Sequence, residues 1–382
     1  MSEIKLQTAQ FLAAEGEIHL GIGHPADDLL PKELLREAAQ NRLSTQSSAF
    51  LQYGADAGDG HFRVQLGQFL TEAYGLEVAP ETLFISSGIS QALEMLCASL
   101  SRPGDVIFVE EPSYFLAFSI FRDYGLELLP VPMDAEGLDV EALEPLLKKH
   151  KPKFLYTIPA HQNPSGLTLS QARRERLVAL AEIHNFYILA DEVYQLLSYA
   201  SDVPKPMAQY TGTGRVFSLG SFSKILAPGL RLGWVQAAPE HVERLTKRGV
   251  VQSGGGLAPF TSGVVRSALE LGLQNRYLEQ LKETYKGRLE VMDAALKSLL
   301  VHYQKPEGGY FFWLELPNNL AADTLLDVAK KHGVNFQIGT KFSVRGELKN
   351  YLRLCFAYYD EADLTEGVRR LGESIEVVLS SS

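Results

Sequence analysis

From residue 80 onward, short apolar runs alternate with stretches of helical spacing. The runs cover 82–86, 105–109, 153–158, 186–190 and 216–219, and they are rich in Val, Ile and Phe. Between them, a helix opens at 87–91 and reaches about 100. Another starts at Ser170, with Leu177, Leu180, Ala181 and His184 on one face. Such alternation predicts a mostly parallel sheet with helices on both sides. Helical spacing also covers 31–43, through Leu34, Leu35, Ala38, Ala39 and Leu43, and 63–74. Residues 1 to about 20 read as an arm. The Ser253-Gly254-Gly255-Gly256 stretch reads as a mobile loop, too flexible for a helix. A long helical stretch runs from about 260 to 300, interrupted by glycine. After it the pattern changes to α+β: a strand over 309–316, a helix over 322–332, a strand over 351–356 and a mostly helical 360–378.

Each unusual polar cluster follows one of the five runs. They are Ser87-Gly88-Ile89-Ser90-Gln91, Glu110 to Tyr114, Pro159 to Gly166, Asp191-Glu192-Val193-Tyr194, and the stretch 221–231. Open α/β sheets bind ligands at the carboxyl ends of their strands, which is where all five clusters fall. In the last one, Ser221, Ser223, Lys224 and Arg231 lie within eleven residues. A lysine at a strand end can be desolvated and lose its charge, and a neutral amine forms a Schiff base with an aldehyde. Two hydroxyls and a guanidinium fork suit a phosphate dianion. An aldehyde and a phosphate on one ligand point to pyridoxal 5'-phosphate (PLP). A polar loop with one solvated lysine is the plainer reading of a lone S-x-S-K.

Composition narrows the classes. The chain has 382 residues, 46% hydrophobic and 21% charged, enough for a sizeable core. A net charge of −10 argues against a nucleic-acid partner. Cys97 and Cys355 are far apart, without the spacing of a metal site or a disulfide framework, so no metal is expected. MSEIKLQTAQ has no apolar signal region, and no run reaches transmembrane length; the cytoplasm is the expected compartment, with no membrane partner.

Three motifs in this order, S-F-S-K-x-x-x-P-G-L-R-x-G, Q-N-P-S-G and D-E-V-Y, make the chain resemble the fold-type-I PLP enzymes. Within them it is similar to the class I/II aminotransferases of the aminoadipate, kynurenine and broad-specificity branch, over nearly its whole length. The resemblance implies a large domain with a seven-stranded, mostly parallel sheet and a smaller α+β domain built from both chain ends. The expected division is 1–44 as arm and part of the small domain, 45–285 as the PLP-binding domain and 286–382 as the small C-terminal domain.

It also implies roles. Lys224 is the Schiff-base lysine and moves the proton between the substrate α-carbon and the cofactor. Asp191 lies against the pyridine nitrogen, Asn163 and Tyr194 bond the phenolate oxygen, and Tyr114 stacks on the ring. Gly88, Ile89 and Ser90 at a helix start, with Ser221, Ser223 and Arg231, hold the phosphate. Relatives often carry Ser where Ile89 stands, so only its backbone N–H can serve. Gly23, Asn163 and Arg353 meet the substrate, Arg353 clamping its α-carboxylate. Tyr53 reaches the phosphate of the neighbouring subunit, which implies a homodimer with shared sites. Cis peptides are expected at Glu111–Pro112 and Asn163–Pro164. His24, where this branch often has an apolar residue, and the side-chain-poor loop 253–259 depart from the pattern beside the substrate pocket.

Three functions share these features. The leading one is transfer of an amino group from an L-amino acid to a 2-oxo acid, 2-oxoglutarate being a candidate, by a ping-pong mechanism. A PLP-dependent C–S β-lyase would have nearly the same site. The effector part of a transcription regulator would need a basic DNA-binding domain, for which residues 1–45 are too short and too weakly basic.

Overall fold

The computed structural model describes residues 13–200 and 202–380. The expected arm therefore lies largely outside the described residues. The five apolar runs form Leu83–Ser86, Val106–Glu111, Phe154–Thr157, Tyr187–Asp191 and Val216–Ser221, all in one sheet. The order across it is Leu83–Ser86, Gly233–Gln236, Val216–Ser221, Tyr187–Asp191, Phe154–Thr157, Val106–Glu111 and Glu127–Asp134; the two-residue Gly137–Leu138 adds an eighth strand at the edge. Gly233–Gln236 pairs antiparallel with both neighbours, and Gly137–Leu138 turns back on Glu127–Asp134; the remaining pairs are parallel.

Successive strand residues point to opposite faces, so each strand feeds two cores. Ile107 and Val109, Phe154 and Tyr156, Leu189, Phe217 and Leu219 enter one cluster. Phe108, Leu155, Ile188, Ala190 and Val216 enter the other, with Leu177 and Ala181 of the helix Gln171–His184. Two of the helices begin with side-chain caps. The Ser170 hydroxyl accepts from the Arg173 N–H, and the Asp59 carboxylate accepts from the Phe62 N–H at 2.7 Å. Asn185 ends its helix in the left-handed conformation at φ 58°.

A second sheet orders Phe311–Glu315, Tyr351–Cys355 and Gln337–Ile338, and the helices Ala322–Lys331 and Glu361–Ser380 belong with it. Ile18–His19 pairs parallel with Val334–Asn335, and the Cys355 N–H donates to the Leu20 carbonyl at 2.6 Å. The N-terminal segment is thereby stitched to this smaller domain just before Gly21-Ile22-Gly23. The helices Pro259–Glu270 and Leu273–Leu296 lead from one sheet to the other, with Gly272 between them at φ 65°.

Two readings change. Ser253 and Gly254 are helical, as the end of Gly249–Gly254, with Val251 buried beneath. The break comes at Gly255, φ 75°, where the chain meets Gly54 so closely that a Cβ would stand 2.3 Å from the Gly54 carbonyl oxygen. The glycines thus serve close backbone contact instead of freedom. Glu127–Asp134 is a strand despite Pro130 and Pro132, which the pattern does not suggest; it runs near the sheet edge, where a missing N–H is tolerated.

Gly220 and Trp234 are cross-strand partners, and a Cβ at Gly220 would lie 2.1 Å from the buried indole. Gly220→Ala is expected to destabilise the fold by about 1–3 kcal/mol through overpacking. An unchanged urea midpoint would refute this contact.

Candidate active site

The carboxyl ends of Val106–Glu111, Phe154–Thr157, Tyr187–Asp191 and Val216–Ser221 open on one side of the large sheet. Lys224 sits three residues past the last of them. Its side chain is half-buried, and Nζ donates to the Gly23 carbonyl at 2.7 Å, a contact spanning 201 residues of sequence. Burial is the main cause that holds the amine down to about 8, with Arg353 adding to it and Asp191 opposing. The Tyr310 ring centroid is 5.3 Å from Nζ, and its hydroxyl donates to the Lys224 carbonyl at 3.2 Å.

Asp191 ends its strand as a buried carboxyl. Tyr156 O–H, on the adjacent strand, donates to its Oδ2 at 2.8 Å. Burial pushes the group up to about 6, against the pull of that hydrogen bond. Tyr194 is buried, its ring 5.4 Å from that of Tyr310 and edge-on to Phe311 at 5.9 Å. Tyr114 precedes the helix Phe115–Asp123, and burial pushes its hydroxyl up to about 12, with the Asp191 carboxylate adding to this.

Arg353 faces these groups from the smaller domain. Its guanidinium is only 4% exposed, low enough that it must find its partners inside the protein. Nη1 donates to Asn163 Oδ1 at 2.9 Å and Nη2 to the Gly21 carbonyl at 2.8 Å; Nε is buried with no hydrogen-bond partner among the described residues. Phe311 and Phe342 stand 4.1 and 5.1 Å from its central carbon. Gly23 is adjacent: a Cβ there would be 3.3 Å from Phe311 and 3.4 Å from Nη2. Gly23, Asn163, Lys224 and Arg353 therefore form one constellation.

A second group lies at the start of the helix Ile89–Leu100. Gly88 precedes it at φ 91°, and a Cβ on Gly88 would lie 2.8 Å from Arg231 Nη2. Arg231 is itself left-handed, φ 47°, and donates to the Ser87 carbonyl at 3.3 Å. Ser221 Oγ and Ser223 Oγ are 2.9 Å apart. Ile89 is partly buried and Ser90 exposed on the first turn. Tyr53 stands apart, 85% exposed, so nothing among the described residues encloses it. Its loop is nevertheless anchored: the Ile85 N–H donates to Ala57 and the Gly256 N–H to Gly54, each at 3.0 Å. Glu111–Pro112 and Asn163–Pro164 are both cis. The His24 ring is edge-on to Tyr358 at 5.0 Å, with Nδ1 3.0 Å from the Pro25 carbonyl.

Sequence reasoning did not single out Tyr156, Tyr310, Phe311, Phe342 or Glu110. A tyrosine inside an apolar strand reads as core, and only its strand partner reveals the hydroxyl's use. Among the described residues, no group of three or more His, Cys, Asp or Glu side chains is placed to hold a metal ion. Nor is any helix long and apolar enough to cross a membrane.

Known proteins bear on the same site. Residues 15–371 match the family described as aminotransferase class I and II. The aromatic-amino-acid aminotransferase 1 of Thermococcus litoralis is 34% identical, covering 98% of this chain and 91% of that one. The 2-aminoadipate transaminase of Thermus thermophilus is 35% identical over 94% of this chain and 90% of its own. A crystal structure of the Pyrococcus horikoshii kynurenine aminotransferase in complex with PMP superimposes with a TM-score of 0.89 at 32% identity, covering 97% of this chain and 96% of that one. The lysine at the sheet's carboxyl edge and these likenesses lead to one conclusion: the chain belongs to the class I and II aminotransferases, PLP-dependent enzymes that act on amino acids and 2-oxo acids.

Proposed function

We propose that this aminotransferase takes the amino group of an L-amino acid and passes it to a 2-oxo acid, 2-oxoglutarate included, in two half-reactions of ping-pong order. The observation that carries this reading is the pairing of Lys224 with a buried, incompletely bonded Arg353 across Gly23. One group can do covalent and proton-transfer work; the other can seize a carboxylate beside it.

The donor set fits PLP. At Gly88 the missing Cβ leaves the Arg231 fork close to the backbone N–H groups of Ile89 and Ser90, at the positive end of a twelve-residue helix. Ser221 and Ser223 hydroxyls, now bonded to each other, can turn to phosphate oxygens. Asp191, oriented by Tyr156, is the anion for a protonated ring nitrogen. Asn163 Oδ1 is taken by Arg353, which leaves its amide N–H groups to meet the ring oxygen together with Tyr194 O–H. Tyr114 would cover the ring face.

PLP, when bound, supplies an aldehyde and a ring that accepts the electron pair left when the α-proton departs. Lys224 Nζ, lowered by burial, is neutral often enough near pH 8 to attack a carbonyl carbon and to accept and return a proton. Arg353 binds the α-carboxylate with two N–H groups, and Gly23 leaves the room this needs. Phe311, Phe342 and Tyr310 keep water from the reacting atoms.

The partner surface belongs to the same proposal. Tyr53 and Leu51 are exposed beside Phe50, whose ring is 6.4 Å from that of the exposed Phe260. This contiguous apolar area suits a second copy of the chain, with Tyr53 O–H directed at the copy's cofactor phosphate.

Three outcomes are expected. Borohydride trapping of PLP on cofactor-free protein should label Lys224, and the trapping rate should rise as pH passes through about 8, because only the unprotonated amine attacks. Label on another lysine, or a flat profile between pH 7 and 9, would defeat the assignment. Asp191→Asn should retain PLP yet slow α-proton removal about 10²–10⁴-fold in single-turnover absorbance measurements; an unchanged rate would leave Asp191 as a structural group. Tyr53→Phe should weaken PLP retention by roughly one to two powers of ten, the loss of a charge-assisted hydrogen bond. Subunit exchange with Lys224→Ala protein should restore one full-affinity site per mixed dimer. Affinity that stays low there would place Tyr53 within its own subunit's chemistry or outside the site.

A further inference from the structure

We propose that Glu110 is a positioning residue that, through Gln162, sets the Asn163–Arg353 pair receiving the substrate carboxylate. The proposal rests on the reading of Arg353 as the carboxylate clamp.

Glu110 lies at the end of Val106–Glu111 and is 1% exposed, so its carboxyl depends on protein donors alone. Three reach it. Thr157 O–H donates to Oε1, while the Ile158 N–H and Gln162 Nε2 both donate to Oε2 at 3.1 Å. Among the described residues, no Lys or Arg side chain bonds it. A buried acid without a cation is a poor choice for packing, since an apolar side chain of the same size would avoid the desolvation. Its use must lie in what it holds.

It supplies one of the three hydrogen bonds that fix the Gln162 side chain. The second Nε2 hydrogen goes to the Pro112 carbonyl at 2.8 Å, and Oε1 accepts from the Ser165 N–H at 2.8 Å. The Gln162 N–H donates to Leu167 at 2.9 Å, and its carbonyl accepts from Gly166 at 2.7 Å. The side chain cannot rotate without breaking one of these bonds. The next residue is Asn163, whose Oδ1 fixes Arg353 Nη1. The Glu110 carboxyl therefore fixes the Gln162 amide, and that amide joins the loop after Glu111, which carries Tyr114, to the loop carrying Asn163. Gln162 reaches Oε2 only, so a proton on Oε1 leaves the clamp intact. Burial, which pushes Glu110 up to about 7, then costs the site no geometry.

The test compares holoenzyme variants by steady-state kinetics, thermal midpoint and calorimetric binding of 3-phenylpropionate, an unreactive carboxylate. Glu110→Met removes the acceptor. It should raise KM for amino donors of unrelated side chain, and Kd for the probe, by about tenfold, with kcat within about threefold, as expected for lost ground-state binding. Glu110→Gln presents its amide oxygen to Ile158 and Gln162 and should restore both constants to within about twofold, which a role in charge alone would not allow. Gln162→Met should reproduce the tenfold effect. The double Met variant should be no worse than either single one, since residues acting in series are not additive. If Glu110→Met does not fold, Gln162→Met and Glu110→Gln decide the matter. Unchanged KM and Kd in folded variants with a lowered midpoint, or a double variant near a hundredfold, would overturn the proposal. Arg353→Lys separates the underlying reading: probe binding unaffected by it would refute the clamp itself, whatever Glu110 does.

Discussion

The site depends on one buried guanidinium. Arg353 has taken its charge out of water, and what it gets in return from the chain is two neutral oxygens, on Gly21 and Asn163, and two phenyl faces. Neutral acceptors and aromatic quadrupoles hold a cation in place but do not cancel its charge. Breaking a buried pair is costly, so a cation with a free Nε and no anion among the described residues is poised for one. The Phe311 and Phe342 rings also fix the plane of the fork, which suits a planar carboxylate approaching edge-on. Because Gly21, Asn163 and Arg353 come from three distant parts of the chain, binding at this point draws on the whole architecture.

The same logic applies to Lys224. Its amine and the Arg353 fork would repel across the gap, and the segment Gly21-Ile22-Gly23 separates them by offering each a backbone carbonyl. That segment is held at its other end by Ile18–His19 pairing with Val334–Asn335 and by the Cys355 N–H bond to Leu20. The smaller domain thus positions the lysine's resting partner as well as the arginine. The two cations are made tolerable by dipoles instead of acids, so their charge remains available to a ligand. The nearby acids have hydrogen-bond partners of their own: Asp191 is satisfied by Tyr156 and Val193, and Glu192 by Ser218 and the N–H groups of Met207 and Ala208.

Much of this arrangement was legible in the sequence, for a physical reason. Parallel strands buried on both faces are nearly continuous apolar runs, so five of them were read to within two residues of their observed ends. Chain geometry then forces whatever follows each strand onto one edge, and the polar clusters announce themselves there. Glu127–Asp134 was not legible, because its prolines speak against a strand and only its position near the edge makes them harmless. The glycines at 254–256 misled, since backbone freedom and close backbone approach look alike in one dimension. Tyr156 was hidden by the same rule that revealed the strands: a polar tip in an apolar run has no visible partner until the neighbouring strand is known. Glu110 stood in a polar cluster, but its partners Thr157 and Gln162 lie 47 and 52 residues away. Arg353 was recognised by resemblance, but its aromatic walls, 31 residues apart at Phe311 and Phe342, have no common signal in the chain.

Glycine at the start of the helix Ile89–Leu100 shows why close backbone approach tolerates few side chains. Gly88 must be left-handed to turn from Leu83–Ser86 into the helix, and it must lack a Cβ because Arg231 lies against it. Arg231 is itself left-handed, a conformation that costs a side-chain-bearing residue of order 1 kcal/mol. The guanidinium lies against Gly88, and a Cβ on Gly233 would also meet Gly88 at 3.0 Å. Two glycines and one strained arginine therefore make a single unit. The helix N-terminus and the fork converge only because nothing stands between them, and any methyl group in that space would separate these two sources of positive charge.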